Sequence, residues 1–118
     1  IPFCFIDYDR EMAIVAEIED GGRKRVVGVG RLVVGPDPTT AEYAVFVADP
    51  WQNQGLGGVL TDYCLEIARN WGVQVVTAET TPDNVRMIAI FQHRGFKIEH
   101  RTQDGVVLAQ LLQGSPSP

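Results

Sequence analysis

Short apolar runs with a strand-like composition recur between residues 12 and 47. Two runs rich in β-branched residues, Met12–Ile18 and Val26–Val34, flank the turn-forming sequence Asp20-Gly21-Gly22 and predict a β-hairpin. The sequence Gly-Pro-Asp-Pro at residues 35–38 interrupts the second run, and a third, mostly apolar run follows at Glu42–Val47. These segments predict an antiparallel meander.

After residue 50 the apolar residues recur at spacings of three and four. One face of a long predicted helix, which ends at Gly72, carries Leu56, Val59, Leu60, Tyr63, Ile67 and Trp71. A valine-rich strand, Val73–Thr80, should follow this helix. A second helix is predicted from Val85 to about His93, with Asn84 as its N-cap and Gly95 after its end.

The last predicted element is a hairpin that pairs Phe96–His100 with Val106–Leu112. The order of elements indicates an α+β fold. Residues 1–113 should form one domain, because 118 residues can enclose a single core, and residues 114–118 have the composition of a flexible tail.

Composition excludes several classes of function. The formal net charge of −5 gives no general positive field for nucleic acid, and no apolar run approaches the roughly 20 residues that span a membrane. Cys4 and Cys64 are far apart and the histidines are isolated, so neither a disulfide framework nor a metal site is expected. This cysteine usage is typical of a cytoplasmic protein.

The segment Val47–Gly58 carries the strongest chemical signal. Gly55, Gly57 and Gly58 stand where the long helix should begin, although a glycine inside a helix costs about 1 kcal/mol relative to alanine. Such glycines allow close approach of a ligand to backbone N–H groups at a helix N-terminus, where a pyrophosphate would be favoured. A glycine-rich turn that merely starts the helix is the alternative.

Gln52-x-x-Gly55-x-Gly57 resembles the acyl-CoA-binding signature of the GNAT family of N-acetyltransferases. Asn84–Phe96, in which an asparagine opens a helix that ends in Gly-Phe, resembles the second signature of that family. The resemblance covers roughly Met12–Leu112 and implies a mixed, mostly antiparallel sheet with a central parallel strand pair and flanking helices.

By this resemblance the co-substrate is acetyl-CoA. Its pyrophosphate would be held by Gln52, Asn53, Gln54, Gly55, Leu56, Gly57 and Gly58. The pantetheine arm would lie between Glu42–Val47 and Val75–Thr80, which should splay apart. Amide N–H groups near Phe46 and Val47 would polarise the thioester carbonyl, and Asn84 would be a further contact.

Glu42 resembles the general base of protein-acetylating members of the family. A lysine amine, with a pKa near 10.4, must lose a proton before it attacks, and burial at the head of the strand could make Glu42 basic enough to take it. An exposed strand-end carboxylate without a catalytic role is the alternative. Many relatives place a tyrosine where this chain has Phe91, so the general acid is unassigned, with Tyr43 and Tyr63 as substitutes to consider.

Phe5–Ala13 and Ala41–Val45 resemble the GNAT domain of bacterial protein lysine acetyltransferases that is often joined to an acyl-CoA-synthetase-like region. This implies a protein substrate such as an acyl-CoA synthetase. It also implies that a first strand and two helices precede Ile1 in a longer chain, without which an apolar face could drive self-association. A small-molecule amine acetyltransferase and a non-catalytic acyl-CoA-sensing module are the alternatives.

Overall fold

The computed structural model describes residues 1–52, 54–101 and 103–113, so the predicted tail at residues 114–118 lies outside the described residues. One seven-stranded sheet has the strand order β1-β2-β3-β4-β5-β7-β6. Two α-helices and a short 3₁₀ helix at Asp49–Trp51 are the remaining elements in the described part of the chain. The elements are β1 (Phe3–Tyr8), β2 (Glu11–Asp20), β3 (Arg23–Val34), β4 (Thr40–Val47), α1 (Leu56–Asn70), β5 (Val75–Thr80), α2 (Val85–His93), β6 (Lys97–Arg101) and β7 (Val106–Leu112).

The N-terminal half is an antiparallel meander, as the apolar pattern predicted. Strands β2 and β3 form the expected hairpin, and β4 pairs antiparallel with β3. Strand β1 was not predicted as a strand. It pairs with β2 at the edge of the sheet. Phe3 is half-buried and the other five side chains are exposed, so the sequence of β1 does not show the alternation of apolar and polar residues that is typical of a half-buried strand.

The C-terminal half contains the crossover that the change of period indicated. Strand β5 runs parallel to β4 after helix α1, and it pairs antiparallel with β7 on its other side. The predicted α+β class with a central parallel pair is therefore confirmed. No helix among the described residues has the length and apolarity needed to cross a membrane.

Helix α1 buries a somewhat different face from the one predicted. Val59 and Trp71 were expected on the apolar face but are 41% and 37% exposed, whereas the polar Thr61 is fully buried. The buried stripe of α1 consists of Leu56, Gly57, Gly58, Leu60, Thr61, Cys64, Leu65 and Ala68. Small residues in the stripe bring the helix close to the strands.

Both helices cover the same face of the sheet. On this face Gly28 and Gly30 of β3 lie under α1, and a Cβ atom at Gly28 would stand only 3.0 Å from Cδ2 of Leu56. The core continues under α2, where the ring of Phe91 lies 4.9 Å from that of Phe96. Strand residues that alternate with the core residues, such as Glu42 and Phe46, point to the opposite face, which we call the open face.

Candidate active site

Strands β4 and β5 pair over only part of their lengths. Their parallel register runs from Thr40 opposite Val75 to Tyr43 opposite Ala78 and stops there. Strand β4 continues to Val47, still paired with β3 on its other side. The segment Ala44–Val47 therefore has one free edge, and an extended ligand could add to it as a further strand.

The backbone of this free edge has a definite direction. Ala48 N–H donates to Val27 O (2.9 Å) and Gly35 N–H donates to Thr40 O (3.0 Å), so even-numbered residues of β4 direct their N–H and C=O groups toward β3. The N–H groups of Val45 and Val47 accordingly face the gap. The expectation that the N–H of Phe46 faces the ligand is wrong, because strand alternation turns it toward β3.

The glycine-rich segment leads from the end of β4 into helix α1. The side-chain amide of Gln52 donates to Val47 O (3.2 Å) and to Asp49 Oδ1 (3.0 Å), which fixes the turn against the strand. Gly55 is the helix N-cap with φ +77°, a left-handed conformation that favours glycine. The first-turn N–H groups of Leu56, Gly57 and Gly58 have no acceptor within the helix, as helix geometry requires. Asn53 lies outside the described residues.

Helix α2 begins beside this turn. Asn84 caps it, because its Oδ1 accepts a hydrogen bond from Met87 N–H (3.2 Å). Arg86, in the first turn, donates to Gln52 Oε1 (3.2 Å) and so joins the two signature segments. Thus Gln52 and Asn84, which are far apart in sequence, lie at neighbouring helix starts.

A second set of contacts holds the two helices side by side. Arg94 donates to both carboxylate oxygens of Asp62, at 2.6 and 3.1 Å, and also to Ile90 O (3.1 Å). Gly58 lies directly under the guanidinium, since a Cβ there would stand 2.7 Å from Arg94 Nη2. These contacts join the first two turns of α1 to the C-terminal end of α2, since Arg94 is the C-cap of α2.

Glu42 lies on the open face of the sheet, opposite the helices. It stands between Val33 of β3 and Thr77 of β5, and its side chain is exposed. The burial expected for Glu42 is therefore wrong, because none of the described residues covers this face. A groove of about 1070 Å³ runs over it, lined by Arg31, Glu42, Ala44, Thr77, Glu79, Lys97, Glu99, Arg101 and neighbouring residues.

The model of the acetyltransferase (GNAT) family matches residues 2–96. The chain belongs to the GNAT family. It is 37% identical over 67 residues to an acetyltransferase of Pseudomonas aeruginosa, in a match that covers 57% of this chain and 36% of that protein. It is 40% identical over 62 residues to the mycothiol acetyltransferase of Beutenbergia cavernae, in a match that covers 52% of this chain and 21% of that protein. The matched part is thus well under half of each curated relative.

Solved GNAT structures share the fold. The GNAT domain of S. lividans PAT aligns with a TM-score of 0.72 and 24% identity, covering 87% of this chain and 61% of that chain. The structure of yncA from Salmonella typhimurium with its cofactor acetyl-CoA aligns with a TM-score of 0.75 and 22% identity, covering 92% of this chain and 68% of that chain. At these identities the likeness establishes the architecture.

Neither Tyr43 nor Tyr63 is an obvious general acid in this GNAT chain. Tyr43 points into the core, where its hydroxyl lies 2.9 Å from Thr61 Oγ1, and burial raises the pKa of Tyr43 well above its ordinary value. Tyr63 packs edge-on against the rings of Phe3 and Phe5. Phe91 is buried beside Phe96. Sequence analysis did not identify Thr61, because a threonine on a helix face gives no sign of a buried hydrogen-bond partner.

Proposed function

We propose that this GNAT chain binds acetyl-CoA and transfers the acetyl group directly to an amine, with a protein lysine as the acceptor. The observation that carries the proposal is the free edge of β4 from Ala44 to Val47, which leads directly into the glycine-rich start of α1. A strand-like ligand arm with an anionic end fits this combination, because backbone N–H groups are available along the edge and at the helix N-terminus.

The residues around the gap suit acetyl-CoA, which when bound supplies an activated acetyl group as a thioester. The N–H groups of Val45 and Val47 would bind the arm and its carbonyl oxygen, and the first turn of α1 would hold the pyrophosphate. Gln52 and Asn84 fix the two helix starts beside it. The two contributions are independent, because one comes from a strand edge and the other from a helix end.

Glu42 would remove a proton from the acceptor ammonium. It lines the groove on the open face, one residue before β4 and β5 stop pairing, so it stands next to the free edge. Glu79 lines the same groove from β5, and neither carboxylate forms an ion pair with a described residue. Two unpaired carboxylates favour a cationic acceptor such as a lysine side chain.

The identity of the acceptor amine is the most specific part of the proposal. The likeness to the GNAT domain of S. lividans PAT fits a protein substrate, for which an acyl-CoA synthetase is the candidate. The 40% identity to a mycothiol acetyltransferase supports a small-molecule amine instead. The exposed position of Glu42 is what a non-catalytic acyl-CoA-sensing module would also have. A cytoplasmic location is part of the proposal, since a reducing compartment suits the unpaired Cys4 and Cys64.

The test mixes the protein with acetyl-CoA and a panel of lysine-bearing acyl-CoA synthetases and small amines, and follows acetylation by mass spectrometry. Glu42→Gln should retain CoA binding, measured by calorimetry, but lower turnover by about 10²- to 10⁴-fold. Asp20→Asn, at the far hairpin, is the matched control and should leave turnover unchanged.

Each outcome has a distinct meaning. Acetylation of a protein lysine that depends on Glu42 supports the proposal, and acetylation of small amines alone moves the acceptor to that class. CoA binding without transfer to any acceptor favours the sensing module. Failure to bind CoA at all would contradict the assignment of the gap as the cofactor site.

A further inference from the structure

Arg31 is the cation closest to Glu42 in the register of the sheet, yet it is bonded elsewhere. It lies on β3 and faces the groove, and its Nε and Nη2 donate to the two carboxylate oxygens of Glu11 on β2 at 2.7 and 3.0 Å. Such a bidentate pair is the strongest form of arginine–carboxylate contact. Among the described residues no hydrogen bond or ion pair joins Arg31 to Glu42.

The register of the sheet places Arg31 between two carboxylates. Glu11 stands opposite Val33 on one side of β3, and Glu42 stands opposite Val33 on the other side. Arg31 is two residues from Val33 on the same face, so it lies diagonally from both. Diagonal neighbours have Cα atoms about 7 to 8 Å apart, a span that an arginine side chain can bridge. Either carboxylate is therefore a possible partner.

We propose that Glu11 is a positioning residue that holds Arg31 away from Glu42 and so keeps Glu42 free to accept a proton. The inference rests on the proposed function, in which a proton leaves the acceptor ammonium nitrogen for a carboxylate oxygen of Glu42. A guanidinium beside that carboxylate would stabilise its charged form and weaken it as a base. With Arg31 bonded to Glu11, the ammonium of the acceptor meets Glu42 without a competing cation.

The other charged residues of the groove do not place a second cation next to Glu42. Strand β5 contributes Glu79, a carboxylate, and β6 lies two strands beyond β5, behind β7. The charged groups of β6 that line the groove are Lys97, Glu99 and Arg101. Arg101 is paired with Glu99 at 3.4 Å. The hydrogen bonds from Arg31 also lower the pKa of Glu11 below its ordinary value, so Glu11 stays charged and keeps its partner at neutral pH.

The decisive measurement is an NMR titration of the Glu42 side-chain carboxyl in the protein itself, which needs no activity. Glu11→Gln releases Arg31, and the titration midpoint of Glu42 should then move to lower pH by roughly 0.5 to 1, a modest change because both groups reach solvent. The double variant Glu11→Gln/Arg31→Gln should cancel that movement. Asp20→Asn, which frees Arg25 on the same hairpin, is the matched control and should leave the midpoint in place.

The pH dependence of acetyl transfer gives a second readout. In Glu11→Gln the acid limb of kcat/KM should move to lower pH with Glu42, and the plateau should fall about two- to threefold, as expected for a weaker base. An unmoved midpoint in Glu11→Gln, or one that moves equally without Arg31, would overturn the inference. Absence of CoA binding or of acetyl transfer in the unaltered protein would mean that the proposed function fails, and acetylation left intact by Glu42→Gln would mean that Glu42 is not the base. Both results are distinguishable from an unmoved midpoint in Glu11→Gln.

Discussion

Thr61→Val should destabilise the protein far more than an isosteric change on a helix normally would. Thr61 is fully buried and its hydroxyl donates to Gly57 O (2.7 Å), so it accepts the hydrogen bond from Tyr43 Oη (2.9 Å). Tyr43 is only 3% exposed. Valine removes that acceptor and leaves the phenol buried without a partner, which costs about 1 to 3 kcal/mol. Gly57 O loses little, because the backbone N–H of Thr61 still donates to it in the helix.

The hydrogen bond between the two hydroxyls also predicts the relative stabilities of Thr61→Val, Tyr43→Phe and the double variant. For a chain of 118 residues, 1 kcal/mol corresponds to roughly 4 °C, so the melting temperature of Thr61→Val should fall by about 4 to 12 °C. Tyr43→Phe removes the donor itself and should cost less, about 0.5 to 1.5 kcal/mol. The double variant should be close to Tyr43→Phe alone. Urea denaturation followed by circular dichroism measures all three, and strictly additive losses would refute a direct bond between the hydroxyls.

Variants at three further positions test the proposed site. Asn84→Ala should cost about 1 kcal/mol of folding free energy by removing the N-cap, whereas Asn84→Ser should retain a neutral cap. Weaker CoA binding by Asn84→Ser would then identify the side-chain NH₂ as a ligand contact. Gly55→Ala should cost about 1 kcal/mol of folding free energy from backbone conformation alone, since φ is +77° and the new Cβ meets no neighbouring atom within 4 Å. Calorimetry should show weaker CoA binding by this variant, and unchanged binding would contradict the role of this turn. Glu79→Gln should raise KM several-fold for a lysine acceptor and leave KM for acetyl-CoA unchanged, so equal effects on both would argue against a contact with the acceptor.

The order of elements could be predicted because each carries its own local signal. The bounds of α2 and β7 match the prediction, since Asn84 and Gly95 mark the ends of the helix and an apolar run marks the strand. Strand β1 could not be found in this way, because an edge strand with mostly exposed side chains has no burial pattern. The buried face of α1 was also partly misassigned. Periodicity alone cannot show that Thr61, which is hydrogen-bonded to Tyr43, is buried while Val59 is exposed.

The candidate site was only partly predictable, for a similar reason. Resemblance to the two GNAT signatures singled out Gln52, Gly55 and Asn84, and these lie at adjacent helix starts. The direction of the N–H of Phe46 depends on the register between β3 and β4, and the exposure of Glu42 depends on what covers the open face. Neither can be predicted from the local sequence, because both depend on tertiary structure.

The glycines of the first signature serve different physical purposes, and this explains why their spacing matters. Gly55 provides a positive φ at the helix start, whereas Gly57 and Gly58 make room for α2: Cβ atoms there would stand 3.1 Å from Ile90 Cδ1 and 2.7 Å from Arg94 Nη2. A Cβ at Gly58 would displace the Arg94 guanidinium and so disturb its hydrogen bonds to Asp62, and a Cβ at Gly57 would crowd the end of the Ile90 side chain. The first turn of α1, which is the proposed pyrophosphate contact, therefore packs against the C-terminal part of α2. The signature specifies helix packing as well as close approach of the ligand, and the bond from Arg86 to Gln52 joins the start of α2 to the turn before α1.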